Sequence, residues 1–320
     1  MGYGSETRPD AMGRIAYSRQ NVDKDAVVQH LVEANKALEV FQDPKATKSL
    51  IYKPLDYNKL KLVGIADGAL RKKSEKYSQG CFYILLMEVT DGKTGGRCWV
   101  VTFKTARATR VSKSSMSAEV LILCRASEAL QRISGWLFEL INGVESAKDL
   151  VNCGNLFPTQ LLTDAMDVYQ TLQCSRPYAG ADESLCTYLE CLREDLLHGR
   201  LEEFGWVPTA SMLADGGSKV MGDVLAAKLM ADGAWRPTDS KILLRANMDG
   251  ADTIDRMRLR HTHDVENETP EYDGWDWAGV PSSVPLPLEQ EDRLGAWWTG
   301  DVDLPKAGCG GECLFCRGTV

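Results

Sequence analysis

The stretch KLKLVGIADGA, residues 59–69, is largely apolar and contains Asp67 near its end. It predicts a buried strand. Two further runs, GCFYILLMEV at 80–89 and RCWVVTFK at 97–104, predict the second and third strands. The connection DGKTGG between them is rich in turn-forming residues. These two strands should therefore form a hairpin.

Downstream of the hairpin, helices and strands alternate. Residues 114–143 carry apolar side chains at helical spacing, and Ser114 and Ser115 are candidate N-caps, so this segment predicts a long, mostly buried helix. Strands are also predicted at 157–164 and 200–208, and helices at 164–173, 184–199 and 209–230. The order β-β-β-α-β-α-α-β-α is typical of a single α/β domain.

The composition changes on both sides of this region. An amphipathic helix is predicted at 22–42. Beyond about residue 222 the periodicity weakens, and the remainder is rich in Trp, Pro and acidic residues, which is typical of a tail that is partly disordered. We therefore divide the chain into residues 1–55, 56–222 and 223–320.

The charge balance limits the possible functions. The chain of 320 residues has 37 Lys and Arg against 45 Asp and Glu, a formal charge of −8, which argues against a protein that coats nucleic acid by bulk charge. A nucleic-acid role would need a local basic strip. With no apolar stretch long enough for a membrane span or a signal peptide, we expect an intracellular protein, cytoplasmic or nuclear, without a membrane partner.

Four acidic residues lie where predicted strands end or helices begin: Asp67, Glu119, Asp164 and Asp215. Ligand sites of α/β sheets collect at such edges. Buried carboxylates that converge imply a bound cation, and Mg²⁺ prefers oxygen ligands. Taken singly, each acid could equally be a turn former or a helix cap.

Five segments around these acids follow one another in the chain: LVGIADGA (62–69), SQGCFYILL (78–86), RVSKSSMSAEVLIL (110–123), LLTDAMDVYQTL (161–172) and WVPTASMLADGGSK (206–219). In this order they resemble the ribonuclease H (RNase H) domain of Ty1/copia-type retrotransposon Pol polyproteins. Upstream, LVEANKAL (31–38) and LIYKPL (50–55) resemble the link to the reverse transcriptase thumb. The resemblance identifies the chain as a C-terminal fragment of such a polyprotein, with residues 1–55 as the end of the reverse transcriptase connection.

The resemblance implies an RNase H-like fold, with a five-stranded mixed sheet flanked by helices. It implies Mg²⁺-dependent endonucleolytic hydrolysis of the RNA strand of an RNA/DNA hybrid. Asp67 would bridge two Mg²⁺ ions, Glu119 and Asp164 would complete the first site, and Asp215 would hold the second ion. Mn²⁺ is the alternative metal. The implied partners are the hybrid and the reverse transcriptase region of the same polyprotein.

Some residues depart from the family pattern. Ala69 and Ala165 stand where relatives carry polar residues, and Gly216 and Gly217 follow Asp215, where we expect them to loosen the turn. These departures predict a weakened activity. They also leave open an alternative, a catalytically degenerate remnant that acts as a nucleic-acid-binding or protein-interaction module.

Two other groups of residues are candidate binding sites. Lys104, Arg107, Arg110 and Lys113 form a basic run before the helix that bears Glu119, and they are candidate phosphate contacts. The same run could also be a solvated loop. Cys309, Cys313 and Cys316 have metal-ligand spacing, but zinc needs four ligands and the nearest other candidates are the distant His261 and His263, so we do not expect zinc.

Overall fold

The fold is seen in a computed structural model of the chain. The structure describes residues 7–20, 28–45, 49–70, 78–89, 94–108, 111–143, 157–174, 183–219 and 223–244.

The centre of the fold is one mixed β-sheet. Strands β1 (Leu60–Ala69), β2 (Gln79–Glu88) and β3 (Gly96–Arg107) are antiparallel neighbours, as the predicted hairpin requires. On the other side of β1, β4 (Thr159–Thr163) and then β5 (Glu203–Trp206) pair in parallel. Together with its flanking helices, this sheet confirms the predicted α/β class, a mixed sheet flanked by helices.

The number of strands differs from the prediction. Within the described residues the sheet has seven strands rather than five, because β6 (Ala234–Trp235) pairs with the start of β3 and β7 (Lys241–Leu244) pairs with β5. Both strands follow residue 222, where we expected a tail, so the sheet extends to Leu244. Strands of two and four residues are too short to show a period in the sequence. The rest of the predicted tail, 245–320, lies outside the described residues.

Helices cover both faces of the sheet. The predicted long helix is present and begins at its predicted cap, where the Ser114 Oγ accepts from the Ser117 N–H and the Ser117 Oγ accepts from the Ser114 N–H, both at 3.1 Å. No helix in the described parts of the chain is long and apolar enough to span a membrane. The helices are α1 (Met12–Gln20), α2 (Val28–Gln42), α3 (Ser115–Asn142), α4 (Met166–Gln173), α5 (Glu183–Leu197), α6 (Asp215–Ser218) and α7 (Val224–Asp232).

Alternate side chains of β1 and β2 belong to two separate cores, as strand geometry requires. On one face, Leu62 and Ile84 belong to a buried cluster that includes α3, α4 and α5. On the other face, Ile65 and Tyr83 pack with residues of α7 and of the 212–214 segment. Because both faces are covered, β1 is apolar along almost its whole length, which explains why the 59–69 stretch is recognisable as a strand.

The N-terminal segment contributes to the second core. Met12, at the start of α1, is almost completely buried in it. A Cβ atom on Gly13 would lie 2.4 Å from the Gly216 carbonyl oxygen, so α1 and α6 are in backbone contact. The described part of residues 1–55 therefore packs directly against the helix that carries Asp215.

Candidate metal centre

Three of the four predicted acids converge at one end of β1. Asp67, Glu119 and Asp164 each offer a carboxylate oxygen that lies within 4.8 Å of the other two. The parallel pairing of β1 with β4 explains two of them: Ile65 is opposite Leu162, and each aspartate follows two residues later. The sheet register therefore places both aspartates at one edge, as the sequence predicted.

Glu119 reaches this edge from α3. Its Oε2 accepts a hydrogen bond of 2.9 Å from the Gly68 N–H. The approach is close because Gly68 has no side chain: a Cβ there would lie 2.4 Å from the Ala118 carbonyl oxygen. Gly68 thus both orients Glu119 and lets the helix backbone approach the strand.

Trp206 fixes the position of Asp164. Its indole Nε1–H donates to the Asp164 carbonyl oxygen at 3.0 Å from the neighbouring strand β5. The Thr163 hydroxyl accepts from the Ala165 N–H at 3.1 Å, while Ala165 provides no side-chain cap for α4. Sequence analysis missed this contribution of Trp206, because the bond joins residues 42 positions apart.

Asp215 does not belong to the group of three. It is the first residue of α6, and its carboxylate is ion-paired with the Lys219 ammonium. The adjacent Ser218 donates its hydroxyl to Asp67 Oδ2. Sequence analysis missed both Ser218 and Lys219. The four-residue spacing of Asp215 and Lys219 is the signal that could have indicated their ion pair, whereas Ser218 reaches a residue of β1 that is far away in sequence.

The two glycines behind Asp215 have a different role from the one we expected. A Cβ on Gly216 would lie 2.3 Å from the Asp223 carboxyl carbon, and one on Gly217 would lie 2.3 Å from the Cys81 sulfur. The Gly217 carbonyl also accepts from the Gln79 amide at 3.0 Å. The expectation of a loosened turn is therefore wrong, because these glycines allow α6 to pack tightly on the sheet.

The electrostatics of the site favour a cation. Burial, followed by the charge of Asp164, raises the pKa of Asp67, although the Ser218 hydroxyl lowers it. Burial and the charges of Asp67 and Asp164 raise the pKa of Glu119. Buried carboxylates that raise one another's pKa are stabilised in their charged form by a metal ion. An all-oxygen set of three carboxylates fits a hard divalent ion such as Mg²⁺ or Mn²⁺.

We expect Gly68→Ala to lower the affinity for Mn²⁺ by about tenfold to a hundredfold, because the added methyl group displaces α3 and with it Glu119. The free energy of unfolding should fall by about 1–3 kcal/mol. Isothermal titration with Mn²⁺ and urea unfolding measure the two effects. Gly135→Ala is the matched control, since a Cβ at Gly135 in α3 meets nothing within 4 Å. Unchanged Mn²⁺ affinity in Gly68→Ala would contradict the positioning role.

The predicted basic run divides between the two faces of the sheet. Lys104 pairs with Phe82, whose ring lies in the α3 core, whereas Arg107 pairs with Gln79, whose amide contacts α6. Arg107 is in register with Ala69 at the end of β1, because both pair with Gln79. Both side chains and that of Lys113 are exposed. Arg110 lies outside the described residues, as do Cys309, Cys313 and Cys316 of the discounted zinc site.

Comparisons with known proteins complete the description. No protein-family profile and no curated protein matches the chain. Among solved structures, it is similar to an RNase H1 isolated from compost by a metagenomic approach (16% identity, 47% of this chain and 86% of that chain, TM-score 0.31). It is also similar to RNase H1 from Halobacterium salinarum (18% identity, 49% of this chain and 96% of that chain, TM-score 0.27). A third similar structure is a foamy viral protease-reverse transcriptase in complex with an RNA/DNA hybrid (13% identity, 64% of this chain and 28% of that chain, TM-score 0.32). The strand order and pairing define the α/β fold, and the distances between the carboxylates define the candidate metal site.

Proposed function

We propose that this chain is a nuclease of the RNase H type that hydrolyses the RNA strand of RNA/DNA hybrids with a divalent metal ion. The observation that carries the proposal is the convergence of Asp67, Glu119 and Asp164 within 4.8 Å at one edge of an RNase H-like sheet. Three parts of the proposal come from the sequence resemblance. These are the hybrid as substrate, Mg²⁺ as the ion with Mn²⁺ as its alternative, and a copia-type Pol polyprotein as the origin.

Each residue of the site has a distinct part in this function. Asp67, Glu119 and Asp164 would hold the metal, which when bound acts as a Lewis acid on the phosphate and activates water as the nucleophile. The Ser218 hydroxyl orients the Asp67 carboxylate, and the Gly68 N–H orients that of Glu119. Trp206 holds the backbone of Asp164 from β5. These contacts reduce the reorganisation that metal and substrate binding would otherwise require.

A cleavage assay with the full chain tests the proposal. A hybrid labelled on its RNA strand is compared with duplex RNA and duplex DNA of the same sequence, with Mg²⁺ or with a chelator. We expect cleavage of RNA in the hybrid alone, and only with the metal. Absence of hybrid cleavage with both Mg²⁺ and Mn²⁺ would reject the enzymatic proposal.

One observation favours a second candidate function, a catalytically degenerate module that binds hybrid without cutting it. Asp215, which the resemblance assigns to the second metal, is ion-paired with Lys219 and lies outside the group of three. Hybrid binding that persists in a chelator and is unaffected by Asp67→Asn, together with no cleavage, would support this candidate over the first.

We expect Arg107→Gln to weaken hybrid binding more than Lys104→Gln does, because Arg107 lies on the face of the sheet that α6 covers, whereas Lys104 lies on the face that α3 covers. Loss of one phosphate contact should reduce the affinity for the hybrid about fivefold. It should also reduce the slope of the logarithm of the binding constant against the logarithm of the salt concentration by about one. Fluorescence anisotropy in Ca²⁺ at several salt concentrations measures both. Lys45→Gln, which removes an exposed charge after α2, is the control. Equal effects of all three substitutions would contradict a localised contact.

A further inference from the structure

A positively charged side chain lies within the acidic site. The Lys219 ammonium forms an ion pair with Asp215, and the side chain of Asp215 is four-fifths covered while that of Lys219 is 42% exposed. The charges of Asp67 and Asp164 also act on this ammonium and, together with the hydrogen bond to Asp215, raise the pKa of Lys219 despite its partial burial. One cation of the chain therefore already balances the carboxylates of this edge.

The backbone restrains Lys219 near Asp215. Its N–H donates to the Asp215 carbonyl oxygen at 3.0 Å, which closes the single turn of α6. The preceding residue, Ser218, is held by its hydroxyl on Asp67. Gly216 and Gly217, in turn, allow this turn to lie directly against Asp223 and Cys81. The backbone therefore keeps Asp215 and Lys219 four residues apart on one helical turn, a spacing at which their side chains are neighbours.

Asp215 thus has a partner that competes with a metal. A divalent ion beside Asp215 would have to displace the Lys219 ammonium. The ion and the ammonium would then lie close together and repel each other, and this repulsion decreases only as the inverse of their distance. The group formed by Asp67, Glu119 and Asp164 has no ion-pair partner among the described residues. The charge of Lys219 acts on Asp67 and Asp164 without an ion pair, so a metal ion there need not displace the ammonium.

We propose that Lys219 is a built-in counter-ion that takes the place of a second divalent ion beside Asp215, so that the site without nucleic acid binds one metal ion, held by Asp67, Glu119 and Asp164. This inference rests on the proposed function for the metal site itself. It revises the expectation of two ions that the family resemblance implies.

The number of bound Mn²⁺ ions tests the inference without any activity measurement. Titration of the full chain, followed by electron paramagnetic resonance of free Mn²⁺, should give one ion per chain for the natural sequence and for Lys219→Arg. It should give two for Lys219→Met, which frees Asp215, and one again for Lys219→Met combined with Asp215→Asn. Circular dichroism of each variant verifies the fold.

The possible outcomes separate this inference from the proposed function. Two ions in the natural sequence, or only one in a folded Lys219→Met variant, would overturn the counter-ion role while leaving the metal site intact. No bound ion in the natural sequence, or a count that Asp67→Asn does not change, would overturn both.

Discussion

Replacing Asp67 by Asn should lower the rate of hybrid cleavage by at least about a thousandfold. Asp67 is the most buried of the three converging acids and lies on the central strand, so its loss removes charge from the middle of the metal site. A bound metal supplies several kcal/mol of transition-state stabilisation, and each 1.36 kcal/mol is a factor of ten in rate. Single-turnover cleavage at saturating Mg²⁺ measures the loss.

The same substitution should not destabilise the metal-free protein. Asn keeps the shape of Asp and still accepts the Ser218 hydrogen bond, and it removes a carboxylate whose pKa burial has raised. The free energy of unfolding in a chelator should therefore be unchanged or higher. Asp232→Asn, at an exposed position at the end of α7, is the control and should retain full activity. Mg²⁺-dependent cleavage that survives Asp67→Asn would remove the basis of the catalytic assignment.

Without divalent ions, the free energy of unfolding should fall by about 3 kcal/mol or more as the pH rises from about 5 to about 8. Burial, opposed by the Ala226 N–H, raises the pKa of Asp223 from 3.8 to about 7, and the pKa values of Asp67 and Glu119 are raised as well. Between the unfolded and folded pKa values the folded chain binds more protons than the unfolded chain. Stability is therefore highest at the acidic end of this window and decreases towards neutral pH.

Mg²⁺ should offset most of this decrease in stability. The ion binds the deprotonated carboxylates of Asp67, Glu119 and Asp164, so its stabilisation should be larger at pH 8 than at pH 5, reaching about 2.7 kcal/mol at a hundred times the dissociation constant. Urea unfolding across this pH range, with Mg²⁺ and with a chelator, measures both effects. Asp223→Asn should reduce the dependence of the metal-free stability on pH. It should leave the stabilisation by Mg²⁺ unchanged, since Asp223 is outside the group of three. A metal-free stability that rises towards pH 8 would contradict the raised pKa values.

The strands and helices that bury a long apolar face could be predicted from sequence. The first strand, predicted at 59–69, is Leu60–Ala69, and the helix predicted at 114–143 is Ser115–Asn142 with its predicted serine cap. These segments are identifiable because burial imposes a period over many residues. The short strands Ala234–Trp235 and Lys241–Leu244 could not be found this way, since they depend on the exposed edges of β3 and β5.

The candidate site was partly predictable for a related reason. Asp67 and Glu119 lie near the end of β1 and in the second turn of α3, and Asp164 follows β4; the sheet register brings the two aspartates to one edge. The state of Asp215 was not predictable, because it depends on a four-residue helix whose neighbours come from α1, β2 and the start of α7. The packing of Gly13, Gly216 and Gly217 supports the single turn on which Lys219 pairs with Asp215.

The sequence by itself determined the α/β fold class, the central strand and the placement of four acids near the ends of strands and helices, because periodic burial and position within an element are local properties of the chain. The tertiary structure alone decided which of the four acids converge and that an ammonium already neutralises the fourth. The convergence depends on distances between residues far apart in sequence, and electrostatic interaction energies depend on such distances rather than on the spacing along the chain. The ion pair joins residues only four apart, but it forms on a single helical turn whose packing comes from other parts of the fold.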